Sequence, residues 1–361
     1  MEVRINNQQI NKTDGLYAYK ADFAARLKTS DTEKKNILPL AGYNKDETKK
    51  WDGMTADNVN QLVAFDKKEP AEIAAHAGDL ALNTRWLRSR NSQTVDLVTP
   101  LYGELFQQIK YLPPRTTLSL TFHRNDPKFC LLSKQPDTEY RIHIVKANLL
   151  IKMVEIEEKM IEQMEFYTYK GNDMIYPIQR VQVGAFSKSA GSLDLSIPDL
   201  FLGSVIPRRI FVSLVNSRAF YGAYNLDPFN YAHFGVKEVS LKINGSTSRL
   251  RPIRCDYAHN NYTQAIVALL NSTNCMSGET DQIGINKENF IRGNVIYGFD
   301  PTGLAAGPMA DSFVKEEKGT VGLEIQCGHA LTEEVMILVY CEFDSEIRIN
   351  KEGIPSVDEF A

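Results

Sequence analysis

Residues 335–343 constrain the fold most. Val335, Ile337, Val339, Cys341 and Phe343 alternate with Met336, Leu338 and Tyr340, so a strand here is apolar on both sides. Each side then needs cover, which places such a strand inside a layered structure rather than on a half-wet sheet. The same period of two recurs in Val321, Leu323, Ile325 and Cys327, and in Val239, Leu241 and Ile243 with Glu238, Ser240 and Lys242 opposite. It returns in Ile210, Val212 and Leu214, in Val181 and Val183 leading to Phe186, and in Leu118, Leu120 and Phe122. Val145, Ala147, Leu149, Ile151 and Met153 predict one more strand, with Lys146, Asn148 and Lys152 on its other face. Residues 129–132 form a short apolar run, and Asn6-Asn7 and Asn244-Gly245 are turn signals.

Helical spacing is scarce. It predicts helices over 17–27, 71–82, 156–167 and 263–270. Too few long helices separate the strands for a parallel βαβ sheet. Antiparallel strands joined by long irregular insertions instead predict a jelly roll or sandwich. Residues 28–95 are too sparsely apolar to hold a core and are expected to form a long insertion on the β scaffold.

The 361 residues carry 41 Lys and Arg against 45 Asp and Glu, a net charge of −4. That balance argues against strong nucleic-acid binding by bulk electrostatics and leaves little repulsion between identical subunits. No run of about 18 apolar residues occurs, so no membrane span is expected. Met1-Glu2-Val3-Arg4 does not open a secretory signal. The five cysteines have no CxxC spacing; Cys130, Cys327 and Cys341 sit in apolar runs and are expected to be small buried hydrophobes.

No catalytic pattern stands out. Phosphate-binding loops, HExxH, GxSxG and zinc-finger spacings are missing, and no two of the six histidines lie three or four residues apart. Catalytic residues, metal ligands and cofactors are therefore expected to be none. His143 between Ile142 and Ile144 reads as the wet side of a strand, and Glu279 with Asp281 as a solvated loop. Two features remain as candidate interfaces. Tyr221, Tyr224, Phe229, Tyr231 and Phe234 crowd one loop, where aromatics suit packing of the loop on itself, a contact surface, or a sugar-stacking platform. Arg208-Arg209 opens an apolar strand and, with Arg249, Arg251 and Arg254, suits a rim or subunit contact better than a nucleic-acid patch.

Three stretches carry a family resemblance: LFQQIKYLPPRTTLSLTFHRNDPKFCLL at 105–132, the long segment from IYPIQRVQVGAF to FNYAHF at 175–234, and VMILVYCEFDSEIRI at 335–349. Together they resemble the double jelly-roll major capsid proteins of adintoviruses and Polinton or Maverick elements. The resemblance implies an all-β double jelly roll of two antiparallel sandwiches with loop and short helical insertions. Residues 1–135 would hold a first jelly roll, truncated at its start, and 136–361 the second. It also implies a homotrimeric capsomer in an icosahedral shell. The partners would be copies of itself, neighbouring capsomers and a penton or minor capsid protein, and the location the virion. The alternatives are a domesticated capsid descendant with a host binding or assembly role, and a carbohydrate-binding jelly-roll module.

Overall fold

Strands β4 (Met174–Lys188) and β11 (Val335–Ile349) are each 15 residues long and pair antiparallel along their whole length. At roughly 3.3 Å per residue they form a ladder about 50 Å long. Its second flank is shared: β6 (Arg209–Asn216) pairs with residues 335–342 of β11, and β12 (Pro355–Val357) with residues 347–349. The computed structural model describes residues 1–11, 15–44, 51–53, 80–135, 138–200, 205–247, 250–276, 282–303 and 317–357.

Strand β9 (Ile296–Phe299) continues the first sheet beyond β6, giving β4-β11-β6-β9. A second sheet runs β5-β10-β7-β8, built from β5 (Asp194–Ile197), β7 (Val236–Ile243), β8 (Ile253–Arg254) and β10 (Val321–Cys327). Every pairing between these strands is antiparallel. Sequence-distant strands are neighbours in both sheets, and each connection from β4 to β7 crosses between sheets. This is the strand order of a jelly roll.

Register explains why β11 is apolar on both faces. Ile210, Val212 and Leu214 stand opposite Cys341, Val339 and Ile337, so one shared face of the first sheet enters the sandwich. The other face carries Phe211 and Tyr340 and is covered by helix α1 (Tyr17–Leu27). Phe23 of α1 stacks 5.2 Å from both Tyr340 and Tyr231. On the second sheet Val239, Leu241 and Ile243 pair with Ile325, Leu323 and Val321. Asn244 and Gly245, at φ 51° and 76°, then form the expected turn.

The far halves of β4 and β11 serve a second core. Tyr176, Ile178, Ile347 and Ile349 pack with Leu105 and with Val3 and Ile5 of β1 (Glu2–Ile5). A small antiparallel sheet, β2-β1-β3, is completed by β2 (Gln8–Gln9) and β3 (Leu118–Thr121). Asn6 pins it: its amide donates to Gly353 O at 2.7 Å and its Oδ1 accepts from Thr117 N at 2.8 Å. The free edge of β4 is covered by residues 103–107, where Glu104 accepts from Val181 N at 3.2 Å and pairs with Lys20. Burial opposes the Glu104 charge, but Lys20 and the backbone N–H groups that donate to it together hold the carboxyl below its usual range.

Several expectations are corrected. The strand expected over 145–153 is absent: residues 138–157 form no ladder, and Val145, Ile151 and Met153 are 72, 61 and 88% exposed. The strands of the sandwich therefore start at 174 and not near 140, and His143 is exposed but lies in no strand. The apolar run at 129–132 lies partly in a short helix, α4 (Pro127–Cys130), because Asp126 caps it and Pro127 sits in its first turn. Cys130 is exposed, whereas Cys327 and Cys341 are buried as expected. The helices read at 17–27, 156–167 and 263–270 correspond to α1, α5 (Glu158–Tyr169) and α7 (Thr263–Ser272). The remaining described α-helices are α2 (Asp31–Asn36), α3 (Leu80–Ser89), α6 (Ser217–Tyr221) and α8 (Lys287–Phe290). Most of the helix expected at 71–82, Arg249, and the pair Glu279 and Asp281 lie outside the described residues.

Candidate functional site

The aromatic loop 221–234 begins where β6 ends. Asn216 caps α6 by accepting from Arg218 N and Ala219 N, and Gly222, at φ 100°, stops it. A Cβ on Gly222 would stand 3.0 Å from Phe129 N, so only glycine lets α4 lie this close. Asp227 then turns the chain by accepting from Phe229 N at 2.9 Å. Asp52 grips the same turn from outside, accepting from Asp227 N and from the Asn230 amide. Burial pushes the Asp52 carboxyl above its usual range.

The five aromatics do not act alike. Tyr231 is fully buried on the outer face of the first sheet, and its hydroxyl donates to Asp22 at 2.7 Å. Arg26 lies 4.8 Å over the Tyr231 ring, bonds Asp22 at 2.8 Å and donates to Phe229 O and Gly293 O. Burial opposes the Arg26 charge, yet Asp22 more than compensates and raises its pKa. Phe229 packs edge-on to Tyr19 and Phe129. Tyr224 pins Ser133 and Tyr140: its carbonyl accepts from Ser133 N at 2.7 Å, its hydroxyl from Tyr140 N at 3.2 Å, and the two tyrosine rings meet edge to face. Phe234 is half-buried against the sandwich core, and Tyr221 is exposed. The loop is thus a clasp between α1, α4, residues 51–53 and the first sheet. It is not a row of open rings of the kind a sugar would stack on.

Arg208 and Arg209 sit at the opposite end of β6. Arg209 reaches the buried carboxylate of Glu342 at 3.5 Å, and Lys28 reaches it at 2.9 Å. Arg208 pairs with Asp344 at 3.2 Å while its backbone N–H donates to Glu342 O. The two arginines therefore neutralise carboxylates on β11 and lock the start of β6 to it. In the sequence they lie far from Glu342, Asp344 and Lys28; only the register of β6 on β11 and the seat of α1 bring these together. Arg254 pairs with Glu238 on the second sheet. Among the described residues, no group of three or more His, Cys, Asp or Glu could hold a metal ion, and no helix is long and apolar enough to cross a membrane.

A second surface feature carries no signal in the sequence. Residues 141–172 are exposed almost throughout, and beside α5 opens a cleft of about 580 Å³ lined by Tyr111, Met160, Met164, Tyr167, Met174 and Tyr176.

No protein-family model matches the chain. An uncharacterized protein of Caenorhabditis elegans is similar to it, 23% identical over 363 residues that cover 99% of this chain and 78% of the worm protein. Among solved structures the chain is similar to the PBCV-1 virus capsid, with 12% identity, a TM-score of 0.32, and 53% of this chain and 52% of that chain covered. PBCV-1 VP54, fitted into a reconstruction of the virophage Sputnik, gives 10% identity and a TM-score of 0.34 over 57% of this chain and 55% of that one. The mavirus major capsid protein gives 11% and 0.29 over 52% and 41%. The match spans about half the length of these capsid chains, or less. At such scores the architecture stands on the strand pairings themselves.

Proposed function

We propose that the chain is a structural shell subunit, a major capsid protein of the double jelly-roll kind that works as a homotrimer and carries no catalysis. The observation that supports this reading is the strand order β4-β11-β6-β9 facing β5-β10-β7-β8. The resemblance of residues 175–234 to capsid proteins points the same way. A jelly roll also occurs in lectins and cupins, so the fold leaves function to be argued from sites. Here Tyr224, Phe229 and Tyr231, three of the aromatics that would make a sugar platform, pack internally, which supports the shell reading over the sugar-binding one. In this reading residues 1–135 belong to a first jelly roll and 136–361 to a second. Copies of the chain and neighbouring capsomers are the partners, and the virion is the location.

Mass photometry followed by negative-stain imaging tests it. We expect one species near three times the 40.8 kDa chain mass, with threefold particles. A clean monomer at micromolar concentration would remove the assembly reading and leave a binding role in a host cell.

A further inference from the structure

The second flank of β11 is filled from both ends and open between them. β6 stops opposite Glu342 and β12 stops opposite Ile347, so residues 343–346 have β4 on one side and no described strand on the other. Yet Phe343 and Ser345 are buried and Asp344 and Glu346 half-buried. At the hairpin between β11 and β12, Asn350 N donates to Ile354 O at 3.2 Å. Counting back in twos, Arg348, Glu346 and Asp344 turn their backbone N–H and C=O groups to that same flank. In a strand this well covered such groups need partners.

Side chains at the gap lack partners too. Arg208 is buried and reaches along β11 to Asp344, but through Nη1 alone, 3.2 Å from both carboxylate oxygens. Its Nε and Nη2 are buried and meet no hydrogen-bond partner among the described residues, and neither does the Ser345 hydroxyl. Arg180, also buried, stands opposite Phe343 on the face that Ser345 shares. Idle buried donors on a guanidinium call for a carboxylate.

The register of β12 indicates which one. Ile349 stands opposite Pro355 and Ile347 opposite Val357. The next residues of the sequence are Asp358 and Glu359. Two more rungs in the same register set Asp358 opposite Glu346 and Glu359 opposite Ser345. The pleat then puts Glu359 on the face of Ser345, Ile347 and Val357, and Asp358 on the other, where Arg348 already holds the Glu346 carboxylate. We propose that β12 runs on through Asp358 and Glu359 as a strap over the gap, and that the Glu359 carboxylate accepts from the Ser345 hydroxyl and from Nε and Nη2 of Arg208. The strap ties the strand that closes the smaller core to the first turn of chain before β6, on the flank away from β4. It goes beyond the shell reading and stands without it.

Cysteine pairing in the full chain tests the register. Positions 345 and 359 would form a non-hydrogen-bonded pair with Cα atoms about 4.5 Å apart, within disulfide reach. Oxidised Ser345→Cys/Glu359→Cys should carry an intrachain bond in most molecules, read by peptide mapping without reductant. Ser345→Cys/Asp358→Cys, with position 358 on the other face, should give several-fold less. Charge gives a second readout that leaves Ser345 in place. Glu359→Lys should lower the melting temperature by a few degrees and Glu359→Gln by less, while Asp358→Lys should match or exceed the parent. Equal yields from the two cysteine pairs, no 345–359 bond, or a bond between chains instead of within one overturns the strap. So does a Glu359→Lys chain that melts with the parent.

Discussion

Phe23 shows how much one side chain can decide. It is fully buried and stacked between Tyr231 of the aromatic loop and Tyr340 of β11. Phe23→Ala should cost about 3–5 kcal/mol in urea unfolding, since the ring's contacts vanish on both sides. His233 carries a pH response. Its ring stacks 4.3 Å from Tyr257 and its Nδ1 accepts from Gly235 N at 3.0 Å. Burial, and then His329, hold its pKa below the usual range. The unfolded imidazole takes a proton near pH 6.5 and the folded one only at lower pH. Between those values the unfolded state binds more protons, so stability present above about 6.5 is lost as pH falls. The melting temperature should drop from about pH 7 to about pH 5, and His233→Gln should flatten some of that slope. None of this was legible from the residues alone. Arg26, buried beneath Tyr231, falls in α1 at a position that spacing marks only as near the apolar face.

Elements are legible in the sequence where periodicity and packing agree. Strands β7, β10 and β11, helix α1 and the turn at Asn244-Gly245 follow from alternation, helical spacing and turn chemistry. The full length of β4 is not legible in the sequence, because Pro177, Gln179 and Arg180 interrupt its apolar rhythm. Its place explains them: β4 is an edge strand, where proline is tolerated and one flank lies outside any ladder. Residues 145–153 fail in the opposite way. They alternate as a strand should, but alternation records a preference for extended backbone and cannot supply a neighbour. Hydrogen exchange should separate the two. Amides of residues 335–342 of β11, paired on both flanks, should be among the slowest in the molecule. Those of 144–151 should exchange near intrinsic rates in dilute protein.

At the scale of the whole molecule, two cores share one pair of strands. The sandwich core and the smaller core under β1 both draw side chains from β4 and β11, so neither can melt without loosening the ladder that holds the other. Ile5 is fully buried in the smaller core. Ile5→Ala should lower stability by about 2–5 kcal/mol and shift a single transition, the same by far-ultraviolet circular dichroism and by tyrosine fluorescence, rather than split it. The 15-residue ladder also gives the molecule a grain. Pulled along its length, its rungs share tension at once; peeled crosswise, they break in succession. A load that enters at the Asn6–Gly353 bond passes into the sandwich through continuous backbone. The second flank of β11 changes partner between residues 342 and 347, from β6 to β12. Residues 343–346 of β11 are flanked by β4 alone among the described strands, so the molecule should flex at that seam while its long axis resists stretching.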